Sequence, residues 1–163
     1  MIFVVSGTQK FQFDRLFKAI DLLVAQGKIA DDIFAQTGAS NYIPQHFKYE
    51  KFLSMQAFDS YINRADLIIA HSGGGVTVTS LKMGKRIVSV PRLASLEEHV
   101  DDHQLEIAET FSKRNLLEVC YNVEKLDEAI ENAKTKVFAK YENELPCVCD
   151  SIDEFLDEGG SVK

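Results

Sequence analysis

Asp66–His71 reads DLIIAH, an apolar run with no alternation between two faces. So short and unbroken a run is a strand buried on both sides, which places it in a parallel sheet covered by helices. The next residues narrow the choice further. His71 and Ser72 lead into three consecutive glycines, Gly73, Gly74 and Gly75. A helical pattern follows and stops at Gly84, and a second apolar run begins, RIVSVP over 86–91. Strand, turn, helix and strand in this order make one parallel crossover, expected to be right-handed.

The same alternation runs along the chain. IFVVSG (2–7) is a first strand. FDRLFKAIDLLVAQG places Phe13, Leu16, Phe17, Ile20 and Val24 on one helical face, with Gly27 as its stop. IFAQTG (33–38) and FKYEKFL (47–53) read as the second and third strands. Ser54 is placed to cap a helix whose apolar face carries Met55, Phe58 and Ile62. The glycine turn and its helix follow the fourth strand, and 86–91 is the fifth. HQLEIAETFSKRN is a helix and LLEVCY (116–121) a sixth strand. VEKLDEAIENAKTKVFAKY is a last helix with Val123, Leu126, Ile130, Ala133 and Val137 in register. The expected fold is therefore α/β, a Rossmann-like parallel sheet of about six strands with helices on both faces. Residues 1–150 form one domain and 151–163 a short C-terminal helix or tail. At 163 residues the chain is long enough for one real core.

Why three glycines? In open α/β sheets, ligands sit beyond the carboxyl ends of the strands. The 71–75 turn lies at such an end and feeds a helix N-terminus, whose unpaired N–H groups and partial positive charge suit a phosphate. Glycines remove Cβ atoms and also allow positive φ, so a diphosphate can approach the backbone. A tight strand-to-helix turn alone would need one glycine. The pattern is neither G-x-G-x-x-G after the first strand nor a P-loop. A second turn, SGTQKFQFD (6–14), offers Gly7 for backbone approach and Thr8 for a hydroxyl, although Thr8 also reads as a plain helix cap. A third segment, EEHVDDHQLEIA (97–108), crowds histidines, carboxylates and Gln104 at the start of a helix. Asp101 and Asp102 suit N-cap and dipole roles there, and Gln104 suits a neutral polyol.

Charge and cysteines exclude other classes. The formal net charge is −7 with no basic stripe, which argues against nucleic acid as a partner. Any bound anion must be held locally. MIFVVSGTQK has no basic segment before its apolar run and reads as a strand instead of a signal peptide, so a cytoplasmic location is expected. The three cysteines, Cys120, Cys147 and Cys149, read as free thiols. No metal is expected: Cys147 and Cys149 lack zinc-knuckle spacing, and His99 and His103 straddle a helix start with no general-base glutamate between them. His71 reads equally as a substrate contact or as a buried imidazole bonded to backbone.

Taken together, IFVVSGT with FDRLFKAID, YINRADLIIAHSGGG, SLKMGKRIVSVPR and EHVDDHQLEIA resemble the glycosyltransferase family 28 C-terminal domain. Within it, the small catalytic subunits of two-chain UDP-sugar transferases are the most similar group: the dolichol-pathway UDP-GlcNAc transferase subunit and bacterial capsular and exopolysaccharide relatives. The resemblance implies the donor-binding C-terminal half of a GT-B enzyme, made as a separate chain. It places the donor diphosphate on Gly7, Thr8, His71, Ser72, Gly73, Gly74 and Gly75. It places uracil and ribose near Phe52, Leu53 and Thr79, and the sugar near Glu98, His99, Asp102 and Gln104. This chain departs from many relatives in having Val76 where a serine falls and Thr79 where a glutamate grips the ribose hydroxyls.

The implied reaction is inverting transfer of GlcNAc or galactose from a UDP-sugar to a lipid-linked acceptor, with no cofactor. The catalytic base is expected on a membrane-anchored acceptor-binding partner subunit, which would hold this chain at the cytoplasmic face of a membrane. Val76 and Thr79 keep open an alternative, a non-catalytic regulatory or scaffolding subunit of such a transferase. A nucleotide-sugar epimerase and a generic flavodoxin-like phosphate-binding module are further rivals. The epimerase needs both halves in one chain, and the phosphate module predicts no preference for uracil over adenine.

Overall fold

In the computed structural model, which describes residues 1–142, six parallel strands form one sheet. The elements in chain order are β1 (Ile2–Val5), α1 (Asp14–Ala25), β2 (Ile33–Gln36), β3 (Lys48–Glu50), α2 (Met55–Arg64) and β4 (Leu67–Ala70). α3 (Gly74–Lys82), β5 (Arg86–Ser89), α4 (His103–Lys113), β6 (Glu118–Val119) and α5 (Leu126–Thr135) follow. The strand order is β3-β2-β1-β4-β5-β6, with Ile2 beside both Ile33 and Leu67. The chain winds outward from β1 to β3, returns to β4, and winds the other way. The carboxyl ends of β1 and β4 thus flank the crevice where such sheets bind ligands.

Period-two alternation within each central strand feeds two cores. Ile2 and Val4 of β1, Leu67 and Ile69 of β4, and Val88 of β5 face α1 and α5, meeting Leu16, Phe17, Ile20, Leu126 and Ile130. Phe3, Val5, Ile68 and Ala70 face the other way onto Ile62 and Phe58 of α2. On that second side Ile87 packs with Leu81 of α3 and Phe111 of α4. All four residues of β4 are at most 2% exposed, so its unbroken apolar sequence follows from burial on both faces. Each of the leucine and isoleucine side chains there contributes about 1.5–3 kcal/mol by leaving water.

Several sequence expectations shift. The third strand is confined to Lys48–Glu50, short of the 47–53 run. Met55 opens α2 and is 77% exposed, because the apolar face of that helix rests on Phe58, Tyr61 and Ile62. Val137 lies beyond the end of α5 at Thr135 and is exposed. Thr8 is not a helix cap: α1 starts only at Asp14, and Phe13 at its N-cap position donates its N–H to Ser40 Oγ at 2.9 Å. Cys120 is a free buried thiol, its Sγ donating to the Asn122 carbonyl, and burial pushes its pKa up to about 11. Cys147, Cys149 and the proposed C-terminal helix or tail lie outside the described residues.

Two carboxylates of α1 fasten one loop, Asp14 by accepting the N–H groups of Asn41 and Tyr42 at 2.8 and 3.1 Å and Asp21 by a larger set of bonds. Asp21 of α1, buried, accepts the Tyr42 hydroxyl at 2.7 Å and the backbone N–H groups of Gln45 and His46 at 3.0 and 2.8 Å. Burial pushes its pKa up, but the hydrogen bonds from Tyr42, Gln45 and His46 outweigh that and hold it below the ordinary value. The same bond pushes the Tyr42 hydroxyl up to about 12. This clamp holds the 42–46 segment that leads into β3.

Candidate functional site

The turn after β1 begins at Gly7, where φ is +80°. A side chain there is strained, and an added Cβ would also lie 2.7 Å from Cε1 of His71. His71 follows β4 and packs its imidazole between the two turns. Its backbone N–H donates to the Val5 carbonyl, and its Nδ1 lies 3.4 Å from that same oxygen. With Nδ1 as donor, Nε2 is left as the acceptor nitrogen, next to Gly73. A Cβ on Gly73 would lie 2.9 Å from Cδ2 of His71 and closer still to Nε2. Burial, reinforced by the positive charge of Arg92, lowers the His71 pKa to about 4, so the ring is neutral at physiological pH.

None of Gly73, Gly74 and Gly75 has positive φ, so the triplet does not form a left-handed nest. Its use is steric. Gly73 makes room for His71, while a Cβ on Gly75 would meet no protein atom within 4 Å. Gly73 is the N-cap of α3 in extended conformation, with no side-chain cap and no acidic residue in the first turn. The first helical bond runs from Thr77 N–H to the Gly73 carbonyl. The amides of Gly74, Gly75 and Val76 precede it and are left without an intrahelical acceptor. By contrast, α2 is capped in the ordinary way, with Ser54 Oγ accepting from Ala57.

These turns wall a cavity of about 320 Å³. Gly7, Thr8, His71, Ser72, Gly73, Gly74, Gly75, His99 and Gln104 line it together, although they come from three separate stretches of sequence. Ser72 also fixes the floor through a 2.7 Å hydroxyl bond to Ser89 at the end of β5. Gln104 is buried, and its Oε1 accepts the Arg92 N–H at 3.1 Å, leaving its Nε2 as the end able to donate. His99 packs its ring, tilted, 5.3 Å from that of Phe11 and pairs its Nδ1 with Asp101 at 3.0 Å. No carboxylate is among the described residues lining this cavity.

Other candidates lie apart. Glu98 is buried behind the wall, where it holds Arg15 Nε at 2.7 and 3.0 Å and accepts the Leu93 N–H. Asp102 takes the N-cap position of α4 without capping it; its Oδ1 accepts the Ala94 N–H instead. Asp101 supplies the expected bond to the helix, accepting from His103 N–H at 3.1 Å. Thr79 is exposed on α3 and does not line the cavity, and Phe52 is 54% exposed outside it. Leu53 is half-buried, and its N–H donates to Oε1 of Gln36 at 3.1 Å.

Sequence reasoning missed Gln36, which lines the cavity from the end of β2, and Arg92, which is almost completely buried at the end of β5. Each had a signal: a long polar residue closing an apolar strand at its carboxyl end. Val76 also lines the cavity while packing against the cluster around Phe3. No group of three or more potential metal-ligating side chains occurs among the described residues.

Comparison with known proteins follows the same lines. The family model "Glycosyltransferase family 28 C-terminal domain" matches residues 1–145. The chain is 31% identical over 128 residues to the Homo sapiens UDP-N-acetylglucosamine transferase subunit ALG13, covering 73% of this chain and 11% of that protein. It is 30% identical over 87 residues to the subunit of the same name from Candida albicans, covering 53% of this chain and 28% of the relative. The chain thus spans well under half the length of these relatives. Among solved structures, the glycotransferase of kitacinnamycin superposes with a TM-score of 0.61 at 15% identity, over 96% of this chain and 38% of that one. Acinetobacter baumannii MurG superposes at 0.56 and 22% identity, over 80% of this chain and 40% of that one. At these identities both likenesses concern the fold.

Proposed function

Because this chain belongs to the glycosyltransferase family 28 C-terminal domains, we propose that its cavity binds a UDP-sugar and that the chain supplies the donor half of a two-component inverting glycosyltransferase. One observation carries this reading: the uncapped amides of Gly74, Gly75 and Val76 open onto a cavity with no lining carboxylate among the described residues, beside the Gly7 turn. A diphosphate suits that place, since oriented amides in a partly dry site stabilise the negative charge that grows as UDP departs. The sugar lies toward Gln104 and His99, and the uracil toward Gln36 and the Leu53 loop. The sugar is GlcNAc or galactose, and GlcNAc fits the name of the ALG13 relatives.

The acceptor and the general base belong to a membrane-anchored partner subunit that presents a lipid-linked acceptor. No lining carboxylate among the described residues is available to take the acceptor proton, and His71 is neutral but bonded beneath the turns. No helix among the described residues is long and apolar enough to cross a membrane. In this reading the chain reaches the cytoplasmic face of a membrane through its partner.

The test is calorimetric titration of the purified chain with UDP, UDP-GlcNAc, UDP-galactose and ADP. Saturable binding of the uridine ligands, with ADP much weaker, supports the reading. Binding of none of them favours a scaffolding subunit, the alternative to which the exposed Thr79 belongs. Equal binding of UDP and ADP favours a generic phosphate module. Transfer assays with the chain alone and with its partner then separate donor binding from catalysis.

A further inference from the structure

Arg92 is the largest of the fully buried side chains, 1% exposed. No carboxylate pairs with it among the described residues. Its Nη2 donates to the carbonyls of Ser6 and Phe11, which bracket the Gly7–Thr8 turn. Its Nε and Nη1 are buried with no hydrogen-bond partner among the described residues. The guanidinium carbon lies 5.4 Å from the centre of the Phe13 ring, and that of Arg15 lies 5.1 Å from the same ring. The one buried carboxylate of this wall, Glu98, is bound directly to Arg15. Among the described residues, one buried positive charge, that of Arg92, is therefore left without a directly paired carboxylate.

Such an arrangement is costly, because a buried ion that lacks a partner has lost its hydration. Its surroundings suggest what it is for. Ser6 precedes Gly7, and the Arg92 backbone N–H holds Gln104, so the residue is bonded to two walls of the cavity. Among the described residues nothing acidic lines that cavity. An anion there would feel the charge through protein instead of water, where screening is weak. Burial lowers the Arg92 pKa only to about 10, so the charge persists at neutral pH.

We propose that Arg92 is the buried counter-charge of the diphosphate site, a positioning residue that shapes the Ser6–Phe11 turn and lends the cavity its preference for charged over neutral ligands. The inference rests on the UDP-sugar reading and deepens it: it assigns to one side chain the long-range attraction that amides alone do not supply in a protein of net charge −7.

The experiment compares UDP with uridine by calorimetry on the full chain and on Arg92→Met, Arg92→Lys and Glu98→Gln. In Arg92→Met the UDP-over-uridine affinity ratio should fall about tenfold, or about 1.4 kcal/mol, with uridine little changed. Arg92→Lys should restore part of the ratio, and Glu98→Gln, which removes the compensating charge of this wall, should raise it. Equal losses for UDP and uridine in Arg92→Met, or an unchanged ratio in Glu98→Gln, overturn the proposal. Glu98→Gln keeps the test decisive even if Arg92→Met does not fold. Failure of the wild-type chain to bind UDP removes the UDP-sugar reading together with this one, whereas a wild-type chain that binds UDP but shows no change of ratio removes this one alone.

Discussion

The His71 imidazole fills the space that a side chain on Gly73 would occupy, with Cδ2 only 2.9 Å from an added Cβ. Two neighbouring glycines therefore differ in kind. Gly73→Ala should destabilise the protein by roughly 1–3 kcal/mol, since the ring has to give way in a packed wall. Gly75→Ala places its methyl group where no protein atom lies within 4 Å. It should leave the melting temperature unchanged or higher, because alanine suits a helix better than glycine, and should weaken UDP binding. Calorimetry and thermal melts on the pair check this. Unchanged UDP affinity in Gly75→Ala would mean that no ligand approaches that turn.

The His71 pKa gives a signed pH dependence. Above pH 6.5 the imidazole is neutral in both folded and unfolded chains. Between 6.5 and about 4 the unfolded chain takes up a proton that the folded one excludes, because burial and then Arg92 oppose it. Stability from this group is thus complete above 6.5 and falls with acidification by about 1.4 kcal/mol per pH unit, levelling off below 4. Urea unfolding at pH 7, 6 and 5, compared with His71→Asn, isolates the slope. An equal slope in the variant would refute the assignment.

Asp21 gathers the Tyr42 hydroxyl and two backbone amides at one buried carboxylate. Asp21→Ala strands those donors and should cost roughly 3 kcal/mol, judged from hydrogen bonds to charged groups. Asp21 does not line the cavity, so UDP affinity in the folded variant should match the parent. Chemical denaturation together with a UDP titration decides. A large loss of affinity would show that the 42–46 loop communicates with the site.

Gln36→Leu removes the acceptor of the Leu53 N–H. A stability loss of about 1–3 kcal/mol is expected for the unpaired donor. The preference for UDP over ADP should also decline, because the loop nearest the proposed base pocket loses its anchor. Preserved discrimination between the two nucleotides would place the uracil elsewhere.

The fold class was legible because apolar runs such as 66–71 carry their burial in their composition, and helical spacing fills the intervals. Boundaries were less so: FKYEKFL keeps alternating past the point where pairing with β2 stops, and nothing local marks that stop. At the site, the strand-end turns were visible as glycines. The engagement of Glu98 was not, since its partner Arg15 lies 83 residues away. Gln36 and Arg92 stayed hidden for the same reason: each gains meaning only from loops that other strands bring alongside it. The glycine triplet was legible as a strand-to-helix turn, and it lines the cavity, but its physical basis is missing side chains and not positive φ.

α3 begins with no cap and carries two glycines in its opening turn, each about 1 kcal/mol poorer than alanine in a helix. That end of the rod is therefore a weak spring, and in the proposed reading a bound diphosphate completes it. Occupancy should be readable as slowed deuterium uptake across residues 74–78. The helix would then work as a built-in gauge of how much of the donor pool is bound.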